Sequence, residues 1–104
     1  MPYRLTRQAQ TQVKWAIELR ASFAGLPAAE RPRKAFDKTF DMLGRFPRAG
    51  SVRADLTRRP VRLFPCDVYW VVHQMIESEG IIVVAIIDMR RSLENALGAD
   101  LDSH

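Results

Sequence analysis

One cysteine, Cys66, in 104 residues rules out an intramolecular disulfide framework and suits a reducing compartment. The histidines are as scarce. His73 and His104 lie far from each other and from Cys66, with no spacing that would ligate a metal, so no metal and no cofactor are expected. Long apolar runs are missing too. The longest, Ile81 to Ile87, is far short of the ~20 residues that span a bilayer. Pro2-Tyr3-Arg4-Leu5-Thr6-Arg7 is polar from the start and unlike a secretory leader. These absences lead us to expect a soluble cytoplasmic protein with no membrane partner. No repeat or low-complexity segment interrupts the chain.

What remains is ordinary in amount and uneven in placement. Hydrophobic residues make up 47% and charged residues 27%, which fits one folded domain. At this length only about 65% of the unfolded surface is buried, so the core is thin. The net charge is +4, modest for a nucleic-acid binder, but it is concentrated. Arg45, Arg48, Arg53, Arg58, Arg59 and Arg62 fall in one stretch that holds a single acid, Asp55. Such a surface attracts phosphate or an acidic protein.

Hydrophobic periodicity divides the chain into elements. Tyr3-Arg4-Leu5 reads as a short edge strand, followed by Thr6 as an N-cap. Ala9, Val13, Ala16, Ile17 and Ala24 recur at helical spacing, with Trp15, Leu19 and Phe23 widening the apolar stripe as helix-face packing, and Gly25 ends the helix. A second helix is predicted from about Arg31 to Arg45, with Pro32 in its first turn and Phe36, Phe40 and Leu43 buried. Gly25-Leu26-Pro27 would join the two into a hairpin. Val61-Arg62-Leu63-Phe64 reads as a strand ended by Pro65. Val68 to Met75 and Ile81 to Ile87, separated by a turn at Ile76-Glu77-Ser78-Glu79-Gly80, make an antiparallel hairpin. A short helix over Ser92 to Leu97 closes the domain at residues 1–97, and 98–104 reads as a fraying acidic tail. The fold class is α+β, in the order β-α-α-β-β-β, with the helical hairpin on one face of a small antiparallel sheet and the other face partly open.

Four segments carry a resemblance. Phe46-Pro47-Arg48-Ala49-Gly50, Val61 to Pro65, Val68 to Val72, and Val83 to Arg91 together resemble the RelE/ParE family of bacterial type II toxins, in the same element order from Tyr3 to Leu97. The resemblance implies a toxin held inactive by a cognate antitoxin in a toxin–antitoxin hetero-oligomer. It also implies one of two activities. RelE-like members cleave messenger RNA on the ribosome, whereas ParE-like members poison DNA gyrase by protein–protein binding.

Metal-free RNA cleavage needs cations on the phosphate together with a general base and a general acid. Arg62 and Arg90 match the family's strand arginines, and they act as one patch only within about 10 Å, a Debye length. The C-terminal tyrosine or histidine usual in the nucleases is absent from Ser92-Leu93-Glu94-Asn95-Ala96-Leu97. Arginine keeps its proton at neutral pH and is a poor general base. His73 is the remaining proton shuttle, although a histidine on an apolar strand face is more often a core residue bonded across the sheet. The acid–base set is therefore incomplete, and the expectation is a ParE-like gyrase poison, not an enzyme. The alternatives are a RelE-like nuclease using Arg62, Arg90 and His73, and an inactive antitoxin-binding module. Arg58, Arg59, Arg62, Arg90 and Arg91 are the candidates for target binding. Tyr69 and Trp70, on opposite faces of one strand, are the candidates for antitoxin binding. Cys66 is expected to be a bystander.

Overall fold

Thr6 begins the helical layer as its sequence suggests: its side chain accepts from the Ala9 N–H at 3.1 Å and caps α1, Arg7–Ala24. The computed structural model describes residues 3–76 and 80–101, so Glu77-Ser78-Glu79 of the predicted turn and His104 lie outside the described residues. Gly25, at φ 87°, alone joins α1 to α2, Leu26–Arg45. The second helix therefore starts earlier than predicted. Pro27 takes the first-turn position, and Pro32 is an interior residue whose ring is buried. Two further strands precede the central hairpin: β2, Ser51–Val52, and β3, Arg62–Cys66. Pro65 does not end β3. The register between β2 and β3 covers only Arg62 and Leu63, so Pro65, which has no N–H, lies where no outer strand needs one.

β4, Tyr69–Met75, and β5, Ile81–Asp88, form the centre of a five-stranded sheet in the order β1-β5-β4-β3-β2. β1 is Tyr3–Leu5, and it pairs with β5 in parallel. The sheet is thus mixed, not antiparallel throughout. Only strands joined by tight turns must be antiparallel, and β1 reaches β5 through the whole of the intervening chain. The register moves from Val72↔Ala85 to His73↔Val83, so Val84 is an extra residue in β5. This bulge switches which face β5 presents. Ile81, Val83 and Ile86 pack on one side, Ala85 and Ile87 on the other, which accounts for a strand apolar throughout.

Each face has its own core. Ala9 and Ala16 of α1 with Phe36, Phe40 and Leu43 of α2 cover Cys66, Val71, Ile81, Val83 and Ile86. Phe36 lies between Phe40 and Tyr69, with ring centroids 5.9 and 5.6 Å away. The opposite face was expected to stay partly open. It is covered instead by α3, Leu93–Leu101, through Ala96, Leu97 and Leu101 packed on Val61, Leu63, Val72, Ala85 and Ile87. This helix continues past Leu97, through the first residues assigned to a fraying tail, because Leu101 is itself buried.

Candidate partner-binding surface

β1 stops at Leu5, leaving the outer edge of β5 unpaired beyond Val83. α1 takes over. Thr6 and Gln8 side chains donate to the carbonyl of the bulged Val84, and Gln12 Oε1 accepts from the Ile86 N–H at 2.7 Å. An unpaired edge is a site of unwanted association, and here helix side chains close it. Gln12 also donates to the Asp100 carboxylate, and Gln8 to the Asp100 carbonyl, tying α3 to α1.

α1 approaches the sheet through Ala9, Ala16 and the partly buried Val13, and its largest apolar side chains are turned outward. Trp15, Leu19 and Phe23, four residues apart, form one stripe with exposures of 71%, 46% and 82%. They do not widen the buried face as the periodicity suggested. Beside the stripe runs an open groove with Tyr69 and Ile86 in its lining and a volume of about 440 Å³. Leu19 and Tyr69 also line its continuation, with Phe23, Val68 and Met89. Charges of both signs sit among these residues, Glu18 and Asp88 as well as arginines. Arg91 lines the first part, and Arg20 and Arg90 line the second. Arg90 is paired with Asp88 at 2.6 Å and holds that carboxyl below its ordinary range. Arg20 and Arg91 have no ion pair among the described residues. Burial first, and then Asp88, raise the Tyr69 phenol above its ordinary value. Tyr69 therefore keeps its proton and is a poor base.

The residues singled out from sequence divide between two ends of the sheet. Arg62 stands opposite His73, and Tyr69 opposite Asp88, so four residues of β4, about 13 Å, separate Arg62 from the start of the Asp88–Arg90 turn. Along the strands, the Arg62 backbone therefore stands away from the turn that carries Arg90. His73 is wholly buried, and its Nε2 lies 3.3 Å from the Pro47 carbonyl. Burial pushes its pKa down. It has no access to an outside substrate. Arg58 is exposed, whereas the Arg59 guanidinium donates to the Leu101 carbonyl at the end of α3. Tyr69 enters the groove, and Trp70 instead packs at the margin of the core under α3. Cys66 is buried, accepts from the Thr39 hydroxyl, and has its thiol pKa raised by burial. Among the described residues no three His, Cys, Asp or Glu side chains gather as metal ligands, and no helix is long and apolar enough to cross a membrane.

The structure is thus an α+β domain with a helical hairpin on one sheet face and an exposed apolar groove beside it. Residues 3–93 match the family described as ParE toxin of the type II toxin–antitoxin system parDE. The chain belongs to that family. Its fold is similar to a solved chain described as the chromosomal ParDE TA system from P. aeruginosa, with a TM-score of 0.70. That likeness covers 85% of this chain and 95% of the other at 14% identity, and is a likeness of fold. No curated protein matches the sequence significantly.

Proposed function

We propose that this ParE-family toxin acts by binding DNA gyrase, without chemistry of its own, and that its cognate antitoxin silences it by docking along α1. The observation that carries the gyrase reading is the separation of the nuclease set: Arg62 and Arg90 lie at opposite ends of the sheet, and His73 is sealed. Cleavage of RNA requires the cations and the proton carriers around one phosphate. Tyr69 is near Arg90, but its raised pKa and the apolar walls of its groove suit a protein side chain better than a phosphate.

The antitoxin seat is supported by the Trp15-Leu19-Phe23 stripe, which favours an amphipathic segment with apolar residues at helical spacing. Arg20 and Arg91 favour acidic residues on that segment. Tyr69 belongs to this seat, and Trp70 does not. Arg58 and Arg62, at the other end, remain candidates for contact with the target.

The test is induction of the toxin without its partner, alongside a supercoiling assay on purified gyrase. Gyrase inhibition with a DNA-damage response and intact messages is the expected result. Cut messages that survive in the toxin but vanish in Arg62→Ala or Arg90→Ala would transfer it to the RelE-like nucleases. Harmless expression would leave an inactive antitoxin-binding module.

A further inference from the structure

One end of the sheet carries chemistry that the groove along α1 does not use. Beside β2 is a notch of about 270 Å³, with Val52, Pro60, Arg62, Gln74 and Met75 in its lining. Ligand clefts usually hold ~300–1,000 Å³, so this space suits one or two side chains and not a cofactor. Val52 and Met75 are exposed there. Arg62 makes no ion pair and Gln74 no side-chain hydrogen bond among the described residues. The turn after α2 comes to the same end, because the Pro47 carbonyl meets His73, the cross-strand partner of Arg62. It brings Arg45, an exposed Phe46 and Arg48, and neither arginine has an ion pair among the described residues. The single acid of the stretch, Asp55, is held by Arg53 at 2.8 Å. Met75 closes β4 and Tyr69 opens it, so this notch lies about 20 Å along the strand from the groove.

We propose that this end is a second protein-binding surface, separate from the antitoxin seat. It takes an acidic segment of the toxin's target, with a carboxylate on Arg62 beside a large apolar side chain covering Val52 and Met75. This deepens the gyrase reading and rests on it. Charge complementarity selects an acidic partner. The exposed apolar side chains select protein over nucleic acid. A phosphate backbone gains from the arginines alone, whereas covering Val52 and Met75 is favourable only with apolar atoms. Arginine beside an aromatic residue and a methionine is also the composition enriched in interface cores. Antitoxin and target then use opposite ends of β4, so affinity for one can be changed without the other.

The experiment compares Arg62→Glu and Val52→Asp with Lys34→Glu, the same reversal of charge at an exposed position of α2, after urea unfolding has shown each to be folded. The readouts are gyrase supercoiling, growth arrest on induction without the antitoxin, and calorimetric affinity for the antitoxin. Arg62→Glu and Val52→Asp should each weaken gyrase inhibition at least ~10-fold and relieve the arrest. Antitoxin affinity should stay within about threefold of wild type, as expected for distant sites. Lys34→Glu should change neither. Wild-type potency in both variants, an equal loss of antitoxin affinity, or an equal effect of Lys34→Glu would overturn the surface. A wild-type toxin that arrests growth without inhibiting gyrase sinks the gyrase reading alone, and arrest then scores the same variants. A toxin that harms nothing overturns both. Binding of a random-sequence DNA duplex that Arg62→Glu abolishes would reassign the surface to nucleic acid. If Arg62→Glu does not fold, Val52→Asp decides.

Discussion

Gly50 is exposed, yet it should not accept even one methyl group. Its φ is 92°, and a Cβ there would lie 2.5 Å from the Leu63 carbonyl oxygen and 3.1 Å from its carbon. Leu63 is buried and paired with both Ser51 and Val72, so it cannot retreat without disturbing β2 or the core. A left-handed L-residue costs about 1–2 kcal/mol. Loss of the β2 pairing adds roughly 1 kcal/mol for each hydrogen bond given up. Gly50→Ala should therefore destabilise by about 2–4 kcal/mol, a large part of the ~5–15 kcal/mol typical of a domain. Gly98 supplies the control. It lies inside α3, and a Cβ added to it would meet nothing within 4 Å, so Gly98→Ala should stabilise by about 0.5–1 kcal/mol. Urea unfolding at neutral pH measures both, provided the m-value is unchanged. Equal midpoints for the two variants, or Gly50→Ala within about 0.5 kcal/mol of wild type (roughly a third of a tenfold step), would refute the steric reasoning.

Two other expectations concern α1. Gln12→Ala removes the acceptor for Ile86 N–H and the donor to Asp100, and should destabilise by about 1–3 kcal/mol if the edge of β5 is left unsatisfied. Faster amide exchange should be centred on Ile86, and an unchanged rate there would count against the edge-closing role. Leu19→Glu, at a half-exposed position on the stripe, should leave the urea midpoint within about 0.5 kcal/mol of wild type. Antitoxin affinity should nonetheless fall by at least ~30-fold, the effect of losing a hot-spot contact of about 2 kcal/mol. Calorimetric titration with the antitoxin measures it, and wild-type affinity would move the seat elsewhere.

Local chemistry is legible in the sequence; long-range placement is not. Thr6 announces its cap, and the two apolar runs announce β4 and β5, because those signals depend on neighbours along the chain. Parallel pairing of β1 with β5 has no local signature, since it is decided across the whole fold. The end of α3 escapes a sequence reading because Gly98 and Asp100 look like tail, while Leu101 finds its partners on a sheet face that the sequence leaves open. The α1 stripe misleads for a related reason. Helical spacing identifies an apolar stripe without saying whether the sheet or solvent faces it. Ala9 and Ala16 are the available clue, since small residues mark where a helix lies closest to its support. The sequence offers Arg62 and Arg90 one at a time, and only the register of β3, β4 and β5 places their backbones along the sheet.

The exposed stripe also carries an energetic argument about what this surface is for. A chain of this length has little apolar area to spare, at about 25 cal/mol for each Å² buried. Trp15 and Phe23 are among its largest side chains, and both stand mostly in solvent. Folding alone would favour polar residues there, as it does at Lys14 and Glu18 on the same helix. The apolar area withheld from the core becomes binding energy when a partner covers it, and on the proposed reading Arg20 and Arg91, which make no ion pair among the described residues, would bias that partner towards acidic sequence. If its antitoxin docks along α1 as proposed, the toxin gains from such an arrangement, because burial deferred from folding is then available to binding.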